Sequence, residues 1–293
     1  MKKDILEYKL KSLGATETPG FGGKARRVLV VGCMSAGKST LVNALVGYPV
    51  NESRNEATTS SLLRIYNKPE PDGMTLFNED HGNYHQQDDP DLEAEVPFTA
   101  VGVHFRSLLS SQNICIIDSP GVNNSRDERH GEITERAIRR GVYDLLLFVA
   151  DGRYPGTGDE MQLLEYVHTH CKRPVIVAIN QLDTYNPPQD SIQRTIEGYA
   201  TALRNMGFSP NTDIMPVSAQ TALWVKQPDE YESRLTLKKE QRSVDLFTDD
   251  YYDLPHYVTG QYSPDTLSRT GIVLLEQTII KRLKKSKKKT IEL

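Results

Sequence analysis

The chain lacks the features that would place it in a membrane or staple it covalently. No uninterrupted apolar run approaches the roughly 18 to 20 residues that a membrane-spanning helix needs. The charged opening stretch 1–13 has no apolar core of the kind a secretory signal carries. The three cysteines, Cys33, Cys115 and Cys171, are odd in number and form no C-x-x-C pair. That argues against a disulfide framework, and reduced thiols in a cytoplasmic protein are the simple reading. His168, His170 and Cys171 lie close together at an expected helix end, with no matching ligands elsewhere, so no zinc site is expected. There is no internal repeat. A formal net charge of -4 over 293 residues excludes a general nucleic-acid binder. Basic charge is instead concentrated: the run between Lys281 and Lys289 (281–289) has seven basic residues in nine.

What is present is the composition of a globular protein, with 38% apolar and 25% charged residues. Apolar, β-branched runs at 28–31, 62–66, 101–105, 114–117, 145–150, 175–179 and 214–217 read as strands. The runs 145–150 and 175–179 are apolar without alternation, as in strands covered on both faces. Helix-like stretches at 38–46, 132–140, 159–168 and 191–206 separate them. The alternation predicts an α/β fold: a mainly parallel central sheet with helices on both faces. Two stretches, 67–95 and 228–264, are rich in Asp, Pro, Gly, Tyr, His or Gln and read as inserted surface loops. Amphipathic segments 5–13 and 272–283 flank the core and are expected to form helices. Each is too short to be stable alone in water, so each must bury its apolar face, and the two are expected to dock together. The expected division is a flanking helix at 1–24, a core at 25–225, an irregular insertion at 226–268, and a closing helix with a basic tail at 269–293.

The chemistry is carried by four short motifs. Gly32-Cys33-Met34-Ser35-Ala36-Gly37-Lys38-Ser39 fits G-x-x-x-x-G-K-[ST] between a strand and a helix, the context a phosphate-binding loop requires. Glycines let successive N–H groups turn toward phosphate oxygens, and the following helix N-terminus adds its dipole. Gly32, Met34, Ser35, Ala36, Gly37, Lys38, Ser39 and Thr40 are therefore expected at the nucleotide. Lys38 supplies a point charge for the β- and γ-phosphates, and the Ser39 hydroxyl is placed to ligate magnesium. Asp118-Ser119-Pro120-Gly121 follows the strand at 114–117. Its carboxylate suits the magnesium shell, and Gly121 can turn its N–H toward a γ-phosphate. Asn180-Gln181-Leu182-Asp183 follows the strand at 175–179. Asp183 can accept the N1–H and N2–H of guanine, a donor pair adenine does not offer, whereas Gln181 stands where the motif usually has Lys. Ser218-Ala219-Gln220 stands fourth in order, as a loop touching guanine O6 would. Thr59, with Thr58 as the alternative, lies where a switch threonine would bind magnesium and sense the γ-phosphate.

These motifs in this order resemble the GTPases of the translation-factor class, and within it the dynamin superfamily, especially its bacterial dynamin-like and mitofusin-like branches. The resemblance covers residues 25–224. It rests on Ser35-Ala36-Gly37-Lys38-Ser39, on the long stretch between Thr59 and Asp118, and on Asp118 to Gly121 followed by Arg129-His130-Gly131-Glu132-Ile133-Thr134. It implies a P-loop GTPase fold that binds GTP or GDP with magnesium, hydrolyses GTP, and pairs with a second GTPase domain. By the same resemblance Ser35 offsets charge in the transition state, with Lys38, Thr59 and Gly121 the other catalytic groups. Met34 departs from the pattern, since many dynamins have there a Gln that helps place the attacking water; slow hydrolysis, as in a binding switch, would follow. The resemblance also makes the flanking helices the remnant of a lever. Residues 271–275 are similar to the closing helix of Era-like GTPases, the second family, whose relation would imply RNA. The basic run 281–289 suits an anionic lipid surface better than sequence-specific RNA, since no aromatics interleave with it. A cytoplasmic, peripherally membrane-associated protein is the expectation.

Overall fold

The computed structural model describes residues 25–50, 62–71, 75–78, 98–121, 129–185, 191–227, 234–249 and 252–291. The segment 5–13, and with it the expected docking of the two flanking helices, lies outside them.

Strand β1 (Arg26–Gly32) leads through the phosphate loop into helix α1 (Lys38–Val46). Then come β2 (Leu62–Asn67), β3 (Thr75–Asn78), β4 (Phe98–Val103) and β5 (Ile114–Asp118). The second half alternates regularly: α2 (Arg129–Arg140), β6 (Leu145–Asp151), α3 (Gly158–His170), β7 (Val175–Asn180), α4 (Ile192–Asn205) and β8 (Asp213–Pro216). Helices close the chain: α5 (Ala219–Lys226), α6 (Arg234–Thr248), the short α7 (His256–Thr259) and α8 (Thr266–Arg269), and α9 (Ile272–Ile291). The eight strands form one sheet in the order β3-β4-β2-β5-β1-β6-β7-β8. Among the described strands, only β2 with β5 and β3 with β4 run antiparallel. This is the expected mainly parallel α/β architecture of a P-loop GTPase.

The continuous apolar strands divide their side chains between two cores. On β1, Leu29 and Val31 join one and Val28 and Val30 the other; on β6, Leu146 and Phe148 oppose Leu145 and Leu147. One face is covered by α2, α3 and α4 through residues such as Ile138, Leu164 and Leu203. The other is covered by α1, α5 and α9 through Leu41, Leu45, Leu223, Leu275 and Ile279. Burial on both faces is why these strands show no polar alternation. The closing helix is locked to the second face by an ion pair, Lys226 Nζ to Glu276 Oε1 at 2.7 Å, with both side chains nearly inaccessible. Lys226 also donates to Ala44 O at 2.7 Å, and Glu276 Oε2 accepts Leu108 N–H at 3.0 Å. Burial pushes the Glu276 carboxyl up and the Lys226 ammonium down, and their mutual attraction opposes both shifts.

Four expectations need correcting. The stretch 67–95 contains the edge strand β3, and the strand expected at 101–105 begins earlier, at Phe98. The stretch expected to be irregular within 226–268 holds α6, α7 and α8. Phe247 is fully buried on the α2–α4 face, together with Tyr252 and Leu254. Arg269 Nη1 caps the carbonyls of Phe247 and Thr248 at 3.0 Å each. Polar residues hid this helix; among its described side chains, Leu246 and Phe247 pack on this core. The closing helix also continues beyond 283 through the basic run.

Candidate functional site

Parallel order β5-β1-β6-β7 brings four strand ends to one edge of the sheet, the position where open α/β sheets take ligands. The phosphate loop leaves the middle of this edge. Ser35 has φ 66 and Gly37 φ 77, so the chain passes twice through left-handed conformation before α1 starts. At Gly37 a side chain is doubly excluded: a Cβ would stand 2.4 Å from Asn180 Nδ2. Ser35 is not glycine, and a non-glycine residue in this region costs about 1 to 2 kcal/mol. That strain is held by its neighbours. Ser35 O accepts from Gln181 Nε2 at 2.7 Å and from Arg153 Nη2 at 3.0 Å. Among the described residues, Ser35 and Gln181 are the two non-glycines with positive φ, and they are bonded to each other. Such strain collects at functional sites.

Asn180 is the hub. It ends β7 and is 1% exposed. Its Nδ2 donates to Ala36 O at 3.0 Å and Gly37 O at 3.3 Å, and its Oδ1 accepts Ala219 N–H at 3.0 Å. One side chain thus joins the phosphate loop to the Ser218–Ala219 turn that opens α5. Ser218 is fully buried; its hydroxyl donates to Thr221 Oγ1 at 2.9 Å and its N–H to Thr270 O at 2.9 Å. Asp183 lies just beyond, in the short 3-10 turn Leu182–Thr184.

On the other side of the loop, Ser39 Oγ donates to Asp118 Oδ2 at 3.2 Å. A hydroxyl and a carboxylate side by side are the hard oxygen ligands magnesium prefers, so these residues fit the metal. Lys38 is 7% exposed, and a Cβ built on Gly121 would lie 3.6 Å from its Nζ and 3.2 Å from Met34 Cα. Gly121 therefore packs directly against the phosphate loop, where a Cβ would be tight against the Met34 backbone and in contact with the ammonium. Gly32 ends β1 and Thr40 lies in the first turn of α1. Met34 is 49% exposed. Burial and the carboxylates of Glu160 and Asp159 push the Cys33 thiol up to about 12, so it is a neutral packing group. Thr58 and Thr59 lie outside the described residues.

Sequence reasoning missed Arg153 and Glu160. Arg153 follows β6 and forms a bidentate pair with Asp151, Nη2 to Oδ2 at 2.8 Å and Nε to Oδ1 at 3.1 Å. Glu160, on α3, is 1% exposed and accepts Asp151 N–H at 2.9 Å, Gly156 N–H at 3.3 Å and the Tyr199 hydroxyl. It is the internal support of the loop carrying Arg153, and its burial pushes its carboxyl up. The available signal was Asp151-Gly152-Arg153 at the end of an apolar strand beside the phosphate-loop strand. The cluster 168–171 is occupied with packing: the His168 ring lies against Phe208, and His170 stacks on Tyr166.

The model of the dynamin family matches residues 28–182, just over half of the chain. The chain is similar to GTPase Era of Halothermothrix orenii, 27% identical over 170 residues, which cover 56% of this chain and 42% of the relative. It is similar to the probable transmembrane FZO-like chloroplastic GTPase of Arabidopsis thaliana, 26% identical over 199 residues, covering 68% of this chain and 20% of that protein. The chain thus spans less than half the length of these two relatives. A solved oligomerised bacterial dynamin pair aligns over 99% of this chain and 46% of its own, at 15% identity and a TM-score of 0.49.

Proposed function

The chain belongs to the dynamin family, and from that premise we propose that it binds guanine nucleotide with magnesium and hydrolyses GTP to GDP and phosphate. The observation carrying this reading is the convergence on one sheet edge of the Ser39–Asp118 hydrogen bond, the Lys38 ammonium beside Gly121, and the Asn180 hub.

In this reading the work is positioning and electrostatics. Gly32, Ala36 and Gly37 shape the cradle whose backbone N–H groups face the phosphates. Lys38 lies along the β- and γ-oxygens, with Thr40 in the α1 turn behind it. Ser39 and Asp118 would hold the magnesium, joined by Thr59 from the switch segment; when bound, the metal would neutralise negative charge on the phosphate. Gly121 offers its N–H to the γ-phosphate. Ser35, at the tip of the loop, is the side chain that meets charge developing on the leaving oxygen. Asp183 reads guanine through its two donors, with Ser218 and Ala219 closing over O6.

Met34 favours a second reading, a nucleotide-gated binding switch with slow hydrolysis. Its thioether is 49% exposed at the loop tip and cannot orient a water as an amide can. We assign the family's pairing of GTPase domains to this chain as the device that would accelerate turnover. The basic run 281–289, on the extension of α9, is assigned to anionic phosphate on a membrane surface in the cytoplasm, with ribosomal RNA the alternative. Single-turnover GTP hydrolysis at low and high protein concentration decides between the two readings. Turnover that rises with concentration supports the pairing enzyme, and uniformly slow turnover with tight GTP binding supports the switch.

A further inference from the structure

Among the described residues, three side chains reach the carbonyls of the phosphate loop from outside it. Asn180 and Gln181 are neutral amides; the third, Arg153, is a cation, and it shares its acceptor, Ser35 O, with Gln181. Arg153 is not there by the accident of a flexible stem. Its guanidinium is held in plane by both Asp151 oxygens, its own backbone N–H donates to Asp151 Oδ1 at 3.0 Å, and Asp151 N–H is fixed in turn by Glu160. The Asp151 Cα is in register with Asn180 on the neighbouring strand. The guanidinium also lies over the Tyr154 ring, with its Cζ 5.6 Å from the ring centroid. The loop is further tied down by Tyr185, whose hydroxyl donates to Gly152 O at 2.6 Å. A planar fork oriented this way loses little freedom on making its last hydrogen bond.

We propose that Arg153 is a positioning residue for nucleotide binding, supplying at the Ser35 carbonyl the positive charge that the neutral Gln181 does not. This rests on the nucleotide-binding reading above and extends it to a residue outside the four motifs. Ser35 must hold a left-handed backbone for the loop to close over phosphate. A charge-assisted bond on its carbonyl stabilises that turn before the ligand arrives. It also keeps the carbonyl lone pairs aimed away from the anion site. Preorganisation of this kind appears as affinity, because the loop is not ordered at the ligand's expense.

The test is a fluorescent-GDP titration with magnesium on the parent, Arg153→Ala, Arg153→Gln, and the double variant Arg153→Ala with Gln181→Lys. Arg153 is solvent-accessible on its loop, and circular dichroism checks that each variant is folded. Arg153→Ala and Arg153→Gln are expected to weaken binding about tenfold. A lysine at 181 extends toward the same carbonyl and is expected to bring the double variant back to within about threefold of the parent. If Arg153→Gln binds as the parent does, the charge is unnecessary and the proposal fails. If both single variants bind weakly and Gln181→Lys restores nothing, Arg153 serves only the architecture of its loop, and the proposal fails again. A parent that does not bind GDP would instead refute the nucleotide-binding reading itself.

Discussion

Replacing Asn180 by alanine should loosen the phosphate loop and the guanine-side turn together. The side chain is 1% exposed and makes three hydrogen bonds, all to backbone. Truncation removes their net contribution of about 1 kcal/mol each. It also leaves Ala219 N–H at the start of α5, and Ala36 O, without this partner in a dry site. The 3.3 Å bond to Gly37 O is the weakest of the three, since that carbonyl also accepts Leu41 N–H. The sum is about 3 kcal/mol, a large share of the 5 to 15 kcal/mol that holds a typical domain together. Trp224, the single tryptophan, lies in α5 and is 6% exposed. Its fluorescence during urea unfolding reports on the element that Asn180 anchors. The variant should unfold with stability lower by about 3 kcal/mol and bind fluorescent GDP at least about tenfold more weakly. A variant within about 1 kcal/mol of the parent, with unaltered affinity, would refute the assignment of Asn180 as the hub.

Asp183→Asn should weaken GTP binding by about 1 to 3 kcal/mol and admit xanthosine nucleotides, whose ring offers an acceptor to an amide; equal parental affinity for GTP and ATP would overturn the guanine assignment. Glu160→Gln should change how stability depends on pH. Burial raises the Glu160 carboxyl above its ordinary 4.5 in the folded state, so the folded chain holds this proton more tightly than the unfolded one. The resulting stabilisation is present below 4.5 and is lost as pH rises from there through the raised value. Thermal melts across that window should fall more steeply for the parent than for the variant, and parallel curves would show that Glu160 is not burdened by desolvation.

Strands buried on both faces were legible because every position in them is apolar, and α1 because Gly37 and Gly47 close it at both ends with left-handed turns. The first three motifs were legible because each follows such a strand; the Ser218 turn follows the edge strand β8 and was legible by its order in the chain. Helix α6 was not, since its sequence is mostly polar and its anchor, Phe247, joins a core whose helices α2, α3 and α4 lie earlier in the chain. The four-residue β3 gave too short a period to register in a stretch rich in Asp, Pro and Gly. Arg153 was invisible for a different reason: its acceptor, Ser35, lies 118 residues away, and only the β1–β6 pairing brings the two strand ends together. Local pattern reveals elements, whereas a contact across the sheet edge needs the strand order.

The central claim is tested most directly by phosphate release from GTP and from ATP, with magnesium, by the parent and by Lys38→Ala. Lys38 lies at the start of α1 with its ammonium beside Gly121, so its loss removes charge from the phosphate site while the core strands stay packed. The account predicts phosphate release from GTP but not ATP by the parent, and loss of that release in a variant whose circular dichroism matches the parent's. Equal release from both nucleotides, or undiminished GTP turnover by Lys38→Ala, would contradict it.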